Sequence, residues 1–528
     1  MLRPHAPPLL AVLATALLAS CGGGNPADGP RTVALLSLDT VRYDFADYAD
    51  PELTPNLARL AERGTTFDRA YSGSSWTLPT HAQMFTGQPP ALHGVQDDNV
   101  RIDPLTPTLP ELFSDAGWAT FGAFSGWYLV KDYGFGRGFD AYVNAMPGGA
   151  QLEQQFQQAL RENGNSGGTW AAADLQSHRA ISSPDVVARL IDGIQLANDR
   201  DLFLFGHFFD PHYDYVPPGE FATRFDPDYT GSINGEEFYS NKAIWDEARG
   251  GRQISDRDLE HILALYRGEI AWTDRNLGEL FDALDAEGRL DNAWIAVTAD
   301  HGEEFFEHGR RGHRQTLFAE QVHIPLLIVP PVGTGGPRRS DVSAALSDLA
   351  PTLCEAVGLG PVGSHAGRSL VPALRGEALG ERPALHSLMR TVVSTQGIKH
   401  RVLDGVTTGD VKLVRELVAK DGELQLRSAV AYDLAADPGE LAPTNDLTDP
   451  KLVAAWETLE AEHARLRELA VALPKSDAAE RSSAAKEMFL SQLSALGYMD
   501  DGEASERVEP PWGFQPPPPV SLDAAGDD

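Results

Sequence analysis

Three stretches of this chain are predominantly apolar, without the alternation of a half-wet strand, and each runs into an aspartate. Thr32–Leu38 (TVALLSL) ends at Asp39, Leu202–Phe209 (LFLFGHFF) at Asp210, and Trp294–Ala299 (WIAVTA) at Asp300. A strand with one wet face alternates apolar and polar residues, whereas a continuous apolar run suits a parallel sheet covered on both faces. Leu326–Val329, after His323, is a fourth run. Helical stretches lie between them at Pro55–Arg63, Pro107–Ala116, Ser183–Ala197 and Asp256–Glu287. This alternation predicts an α/β fold built on a doubly wound, mostly parallel sheet. In such sheets ligands lie outside the carboxyl ends of the strands. One aspartate there is usually a turn or cap residue. Three of them, two close to histidines, weaken that reading.

His207, His212, His301, His308 and His313 all fall in short segments around these strand ends. Asp300-His301-Gly302-Glu303 supplies one oxygen and one nitrogen ligand for a metal at the sheet edge. In Ser75–Gly87 (SWTLPTHAQMFTG), Pro79 suits the first turn of a helix and Gly87 its end. That places Thr77 at a helix N-terminus, where free N–H groups and the dipole favour an anion. His81 follows one turn on, on the same face. The plain alternative is that Thr77 caps the helix and His81 is a surface histidine.

Asp39, Thr77-x-Pro79-x-His81 through Thr86-Gly87, and His93-Gly94-Val95 together resemble the sulfatase family of the alkaline phosphatase superfamily. So do Asp210-Pro211-His212-Tyr213 with Pro217-Pro218, Asp300-His301-Gly302-Glu303, His308-Gly309, Tyr432-Asp433-Leu434 and Asp437-Pro438-Gly439-Glu440, in family order from about Thr32 to Asn445. The resemblance implies a divalent cation held by Asp39, Asp300 and His301, with Thr77 as the nucleophile touching it. It implies sulfate contacts at His212, His313 and Asn99.

The chain departs from the family at several of these positions. Sulfatases convert a cysteine or serine to formylglycine, which Thr77 cannot give because its β-carbon carries a methyl. Ser74 and Ser75 do not rescue the motif, since neither has proline two residues later. His81 replaces an arginine, His313 a lysine, and Thr40 the aspartate that often follows the first metal ligand. Histidines in place of arginine and lysine make the anion clamp tunable by pH. These changes resemble the phosphoryl-transferring branches of the superfamily, such as phosphodiesterases and phosphonoacetate hydrolases, which use a metal-bound threonine. Asp210, His212 and His313 have ligand types suited to a second metal. His301 in place of asparagine favours manganese or zinc over calcium. The expectation is a metal-dependent hydrolase or transferase of phospho- or sulfo-esters, phosphoester or phosphonate slightly favoured, acting through Thr77, His81, His212 and His313. A true sulfatase and an inactive surface-anchored binding protein are the alternatives.

Composition bears on partners. Seventy-six acidic residues against 43 basic give a formal charge of −33, which repels nucleic acid and anionic lipid. The expected partner is not nucleic acid; the family resemblance implies a small-molecule, glycan or lipid ester as substrate. Two cysteines exclude a C-x-x-C motif, and Cys354, in an apolar run, reads as packing. Arg3, the apolar run Leu9–Leu18 and Leu18-Ala19-Ser20-Cys21 resemble a lipoprotein signal, with an ordinary signal peptide as the alternative. The expected layout is a signal peptide over 1–20, a tether over 21–30, a catalytic domain over 31–380, a small C-terminal α+β subdomain over 381–470, and a helix with a disordered acidic, Pro-rich tail over 471–528. Cys21 lipidation would place the protein outside the cytoplasm, anchored to the bilayer by acyl chains. Cys21→Ser should then release the protein from membranes or block its processing. An intact mass showing cleavage elsewhere and no acyl chains would remove this expectation.

Overall fold

The computed structural model describes residues 29–476 apart from 98–99, 150, 152–180, 237, 361–365, 395–396, 421–422 and 475. The Cys21 segment, Asn99, the expected helix at 478–496 and the acidic tail lie outside the described residues.

Eight strands form the main sheet: β1 (Thr32–Leu38), β2 (Thr65–Phe67), β3 (Ala119–Phe124), β4 (Ala141–Asn144), β5 (Leu202–Phe208), β6 (Ala293–Ala299), β7 (Leu326–Val329) and β8 (Arg339–Ser340). Their spatial order is β8-β2-β7-β6-β1-β5-β3-β4. All seven residues of β1 are buried, and β1 runs parallel between β5 and β6. Its apolar run is read on both faces, as a covered central strand requires. β7 departs from the parallel expectation and pairs antiparallel with both β6 and β2. Parallel pairing needs a crossover that carries the chain back across the sheet. The segment from Asp300 to Pro325 holds a two-stranded hairpin, Glu304–Phe305 with Arg311–Gly312, and the short helix Ala319–Val322, and it returns the chain at the end where β6 left.

Register sets the level of the strand-end residues. Leu38 lies opposite Phe208 on one side and Ala299 on the other, so Asp39 and Asp300 emerge side by side. Residues two apart share a face. His207, paired with Ser37, therefore lies on the face of Asp39.

The helices begin where their caps allow. α1 spans Pro55–Ala61, α2 Thr77–Thr86, α3 Leu109–Asp115, α4 Ser183–Ala197 and α5 Asp256–Ala286. α3 starts two residues later than the sequence reading because Thr108 forms a capping box with Glu111. Every residue of α2 is buried. Cys354 is fully buried, and burial pushes its thiol up to about 12, in keeping with packing. Among the described residues, no helix is long and apolar enough to cross a membrane.

The C-terminal part is an antiparallel meander of β9 (Ala384–Ser394), β10 (Gly397–Thr408), β11 (Val411–Lys420) and β12 (Glu423–Asp433), followed by α6 (Pro450–Ala472). Strand alternation divides their side chains between two cores. Leu388 and Leu403 join the main core, while their neighbours Met389 and Val402 pack with Trp456 and Leu459 of α6. The edge of β9 is sewn to the catalytic domain just before α2: Ser387 N donates to Gly73 O (2.8 Å), and His386 Nδ1 lies 2.9 Å from Ser72 O.

Under α6, Arg415 is fully buried against Asp404 (2.9 Å) and Glu460 (2.5 Å), with His463 Nε2 3.2 Å from Asp404. Removing one member of a buried ion pair strands the other charge. Arg415→Ala should destabilise the C-terminal unit by about 3–5 kcal/mol, read from urea unfolding. A change below about 1 kcal/mol would mean the network is stabilised by little more than a surface pair.

Candidate active site

The carboxyl ends of β1 and β6 deliver Asp39, Asp300 and His301 to one fully buried point. One ligand atom from each lies within 4.8 Å of the others. His301 Nε2 is 3.5 Å from Asp39 Oδ1 and 3.4 Å from Asp300 Oδ2. Its other nitrogen, Nδ1, is 2.9 Å from Gly302 O. Donation from Nδ1 to that carbonyl leaves the Nε2 lone pair turned to the carboxylates, the arrangement a metal-binding imidazole needs.

Asp300 Oδ1 accepts from the backbone N of His301 (2.9 Å) and Thr40 (3.3 Å). Asp300 Oδ2 is buried and makes no hydrogen bond. Burial and then the neighbouring Asp39 raise the Asp300 carboxyl. Burial pulls His301 down, but Asp300 and Asp39 outweigh it and the imidazole is raised overall. Two carboxylates in a dry pocket call for a cation. These residues fit a divalent ion with mixed oxygen and nitrogen donors.

α2 covers this point. Thr77 is its first residue, after Trp76 in extended conformation, and Gly87 closes it in the left-handed region (φ 65°). The N-cap position is Trp76 and makes no side-chain cap bond, so Thr77 is not the cap. Its hydroxyl lies 3.4 Å from His301 Nε2.

His81 sits one turn below, fully buried, with Nδ1 2.9 Å from Thr77 O and 3.7 Å from Asp300 Oδ2. Burial, then His207, pulls it down to about 3. It is therefore neutral at ordinary pH. The pH-tunable anion clamp expected of His81 is not available there, and the ring instead supports Thr77 and Asp300 from behind.

His207, given no role in the sequence reading, packs edge-to-face on His81 (4.5 Å) with Nε2 3.2 Å from Asp39 Oδ2. Burial holds it down at about 4. Its signal was strand alternation: a histidine in register with Ser37 must share the face of Asp39.

His212 and His313 stand beside His301. Their rings are 4.8 Å apart, and His313 is 4.6 Å from His301. Each has Nδ1 tied back: His212 at 2.7 Å from Tyr213 O, His313 at 3.0 Å from Glu303 Oε1. Glu303 is fully buried and also accepts from Tyr215 OH (3.0 Å). It is a second positioning residue that the sequence reading named in a motif without a role. Glu304 Oε1 accepts from Arg310 N (2.9 Å), fixing the loop that carries His313. Thr40, where the family has aspartate, donates Oγ1 to Pro211 O (2.9 Å) and so steadies the segment before His212.

The expected second metal trio does not assemble. Asp210, His212 and His313 are not brought within ligand range of one another; among the described residues the group so placed is Asp39, Asp300 and His301. Asp210 is engaged at the start of α4. It accepts from Ser182 N and Oγ (2.7 Å each), Ser183 N (2.9 Å) and Trp272 Nε1 (3.0 Å). It is a helix-end carboxylate, the ordinary reading of an aspartate after a strand.

Comparison with known proteins places the chain in a family and matches its fold. The family described as Sulfatase matches residues 31–359. The uncharacterized sulfatase YidJ of Escherichia coli (strain K12) is 26% identical over 57% of this chain and 62% of its own length; the chain thus spans about three fifths of that relative. A protein solved with D-glucosamine-2-N,6-O-disulfate superposes with TM-score 0.62 at 17% identity, covering 85% of this chain and 100% of that one. A phosphonate monoester hydrolase from Silicibacter pomeroyi gives 0.60 at 20% identity, covering 84% and 96%.

His301 must lose its proton to ligate a metal. Its raised value means that apparent affinity falls as pH drops through it, with about one proton released per ion. Titration calorimetry with manganese in buffers of different ionisation enthalpy measures this. Asp300→Asn should lose the ion, while Asp210→Asn should keep it. Binding without proton release from pH 5 to 8 would take His301 out of the ligand set.

Proposed function

The chain belongs to the sulfatase family, whose members are hydrolases of the alkaline phosphatase superfamily, and from that premise we propose that it hydrolyses phosphoesters or phosphonate esters, with Thr77 as nucleophile and manganese or zinc at Asp39, Asp300 and His301. The observation that carries this reading is the Thr77 hydroxyl at the head of a buried helix, 3.4 Å from His301 Nε2.

A divalent cation, when bound, supplies the charge that lowers the hydroxyl pKa and neutralises the ester oxygens. The chain's own groups do the rest. Thr77 Oγ1 attacks phosphorus, the bond to the leaving alcohol breaks, and a phosphothreonine forms. His212 and His313, each with Nδ1 held, are the groups placed for proton transfer. One takes the threonine proton and the other protonates the departing oxygen. Water then attacks phosphorus, and Thr77 regains its proton as phosphate leaves. His81 holds Thr77 at its carbonyl, and burial keeps water away from that side of the nucleophile.

Threonine favours phosphorus over sulfur on chemical grounds. A formylglycine hydrate expels sulfate by collapsing to an aldehyde. Thr77 has no such route, so water must break its ester at the central atom. A phosphate monoester carries more negative charge than a sulfate and gains more from a cation. Sulfate-ester hydrolysis is the second reading, favoured by the family match and by the sulfated sugar bound to a structural relative. Attachment to a bilayer through Cys21 belongs to the same proposal.

Thr77→Ala should lower kcat by about 10³-fold or more while the protein still binds metal, and Thr77→Ser should keep part of the activity. Near-native turnover by Thr77→Ala would sink the assignment. In a panel of aryl sulfate, phosphate monoester, phosphate diester and phosphonate, each with manganese, zinc or calcium, a phosphorus substrate should give the highest kcat/KM. An aryl sulfate ahead of all of them would move the chain to the second reading.

A further inference from the structure

Arg314 is a long, charged residue in a backbone conformation that favours glycine. Its φ is 61°, in the left-handed region, where a β-carbon crowds the following carbonyl oxygen. A residue kept there against that cost points to a task. The chemistry above gives it none. Its backbone N donates to Ser75 O (2.8 Å), which ties the turn to the segment leading into α2.

The turn sends consecutive side chains to two neighbours of Thr77. His313 lies against His301 (4.6 Å), whose Nε2 is 3.4 Å from the Thr77 hydroxyl. Arg314 lies against Trp76, the residue before Thr77, with its guanidinium 3.8 Å from the ring centroid. Tyr128 fixes that placement. Its hydroxyl accepts from Arg314 Nη1 (3.2 Å), and its ring meets Trp76 edge-on (5.4 Å). Guanidinium groups stack on aromatic faces and present a rigid N–H fork that matches phosphoryl oxygens. The Arg314 side chain is half-buried, so a solute can reach it.

The groups given work in the chemistry above are a threonine and histidines, and neither side-chain type is positive at every pH. Arginine is. The chain as a whole carries −33 and repels an anion at range. A fixed cation close to Thr77 reverses that repulsion where the ester binds, because opposite charges in a half-buried setting attract more strongly than they do in open water.

Resting on the functional reading above, we propose that Arg314 is a substrate-binding residue, which holds an anionic oxygen of the phosphoryl group while Thr77 attacks. The loop after Gly312 then serves the reaction twice, with His313 moving a proton and Arg314 holding charge. In a strand these two side chains would point to opposite faces. The left-handed turn at Arg314 instead lets both be used at one site.

The test uses the full-length protein with manganese, titrated calorimetrically with inorganic phosphate. Arg314→Gly suits the backbone, so that variant should fold and bind manganese as the parent does. Its phosphate affinity should fall by about tenfold or more. Arg314→Gln, which keeps the stem without the charge, should lose as much, and Arg314→Lys should recover part of the loss. Guanidinium chloride at millimolar concentration should restore phosphate binding to the glycine variant, while urea, neutral and of similar shape, should not. Phosphate affinity unchanged in both the glycine and glutamine variants overturns the proposal, because it leaves Arg314 a packing residue. Rescue by urea equal to that by guanidinium overturns it too, as does a parent protein that binds no phosphate. Failure of the functional reading shows separately, as absence of ester turnover by the unaltered enzyme. The phosphate titration does not depend on that turnover.

Discussion

Two carboxylates held side by side where no water reaches them are the constraint around which the rest of this centre is arranged. Asp39 and Asp300 arrive together because β1 and β6 are in register up to their last residues. Their mutual repulsion in a dry environment is large unless something positive stands between them. The histidines at their sides divide the work. His301 turns its Nε2 inward, while burial holds His81 and His207 neutral at about 3 and 4. Neutral imidazoles behind the carboxylates leave the pocket's negative charge unspent, so it is available to bind a cation in front. α2, buried on every side, fixes Thr77 at that front edge.

The part of this plan legible in the sequence was the part carried by strand ends. Continuous apolar runs marked β1, β5 and β6 to within a residue. Asp39, Asp300, His301 and Thr77 could be singled out because each sits at a boundary between element types. What failed, failed for physical reasons. Asp210 has the same local sequence context as the other two aspartates, and only tertiary structure shows that a helix start and Trp272 take both its oxygens. His81 was read as part of a pH-tunable anion clamp because a residue's burial inside a packed helix is not written in its neighbours. The antiparallel turn of β7 depends on how the segment after Asp300 folds back, which a four-residue apolar run does not record. His207 was legible in principle, but only once register with Ser37 was known.

The groups of the candidate site come from different layers of the molecule. Thr77, the proposed nucleophile, heads α2, and the residues that could hold a cation leave the ends of β1 and β6. The two outer histidines come from loops, with Nδ1 fixed by Tyr213 O and by Glu303. A threonine in place of a formylglycine precursor changes how a covalent ester can be released, without altering the frame that presents it. One fold can therefore serve sulfur and phosphorus esters by exchanging a few residues at strand ends and loops.

The stitching of β9 to the segment before α2 has a temporal side. His386 and Ser387 bond the backbone of Ser72 and Gly73, a separation of 314 residues along the chain. At synthesis rates of about 5–20 residues per second, the support for the nucleophile's approach segment emerges tens of seconds after the nucleophile itself. The sheet, its aspartates and Thr77 all precede it from the ribosome. The growing chain thus carries the segment leading into α2 without its β9 brace until most of its length has been made.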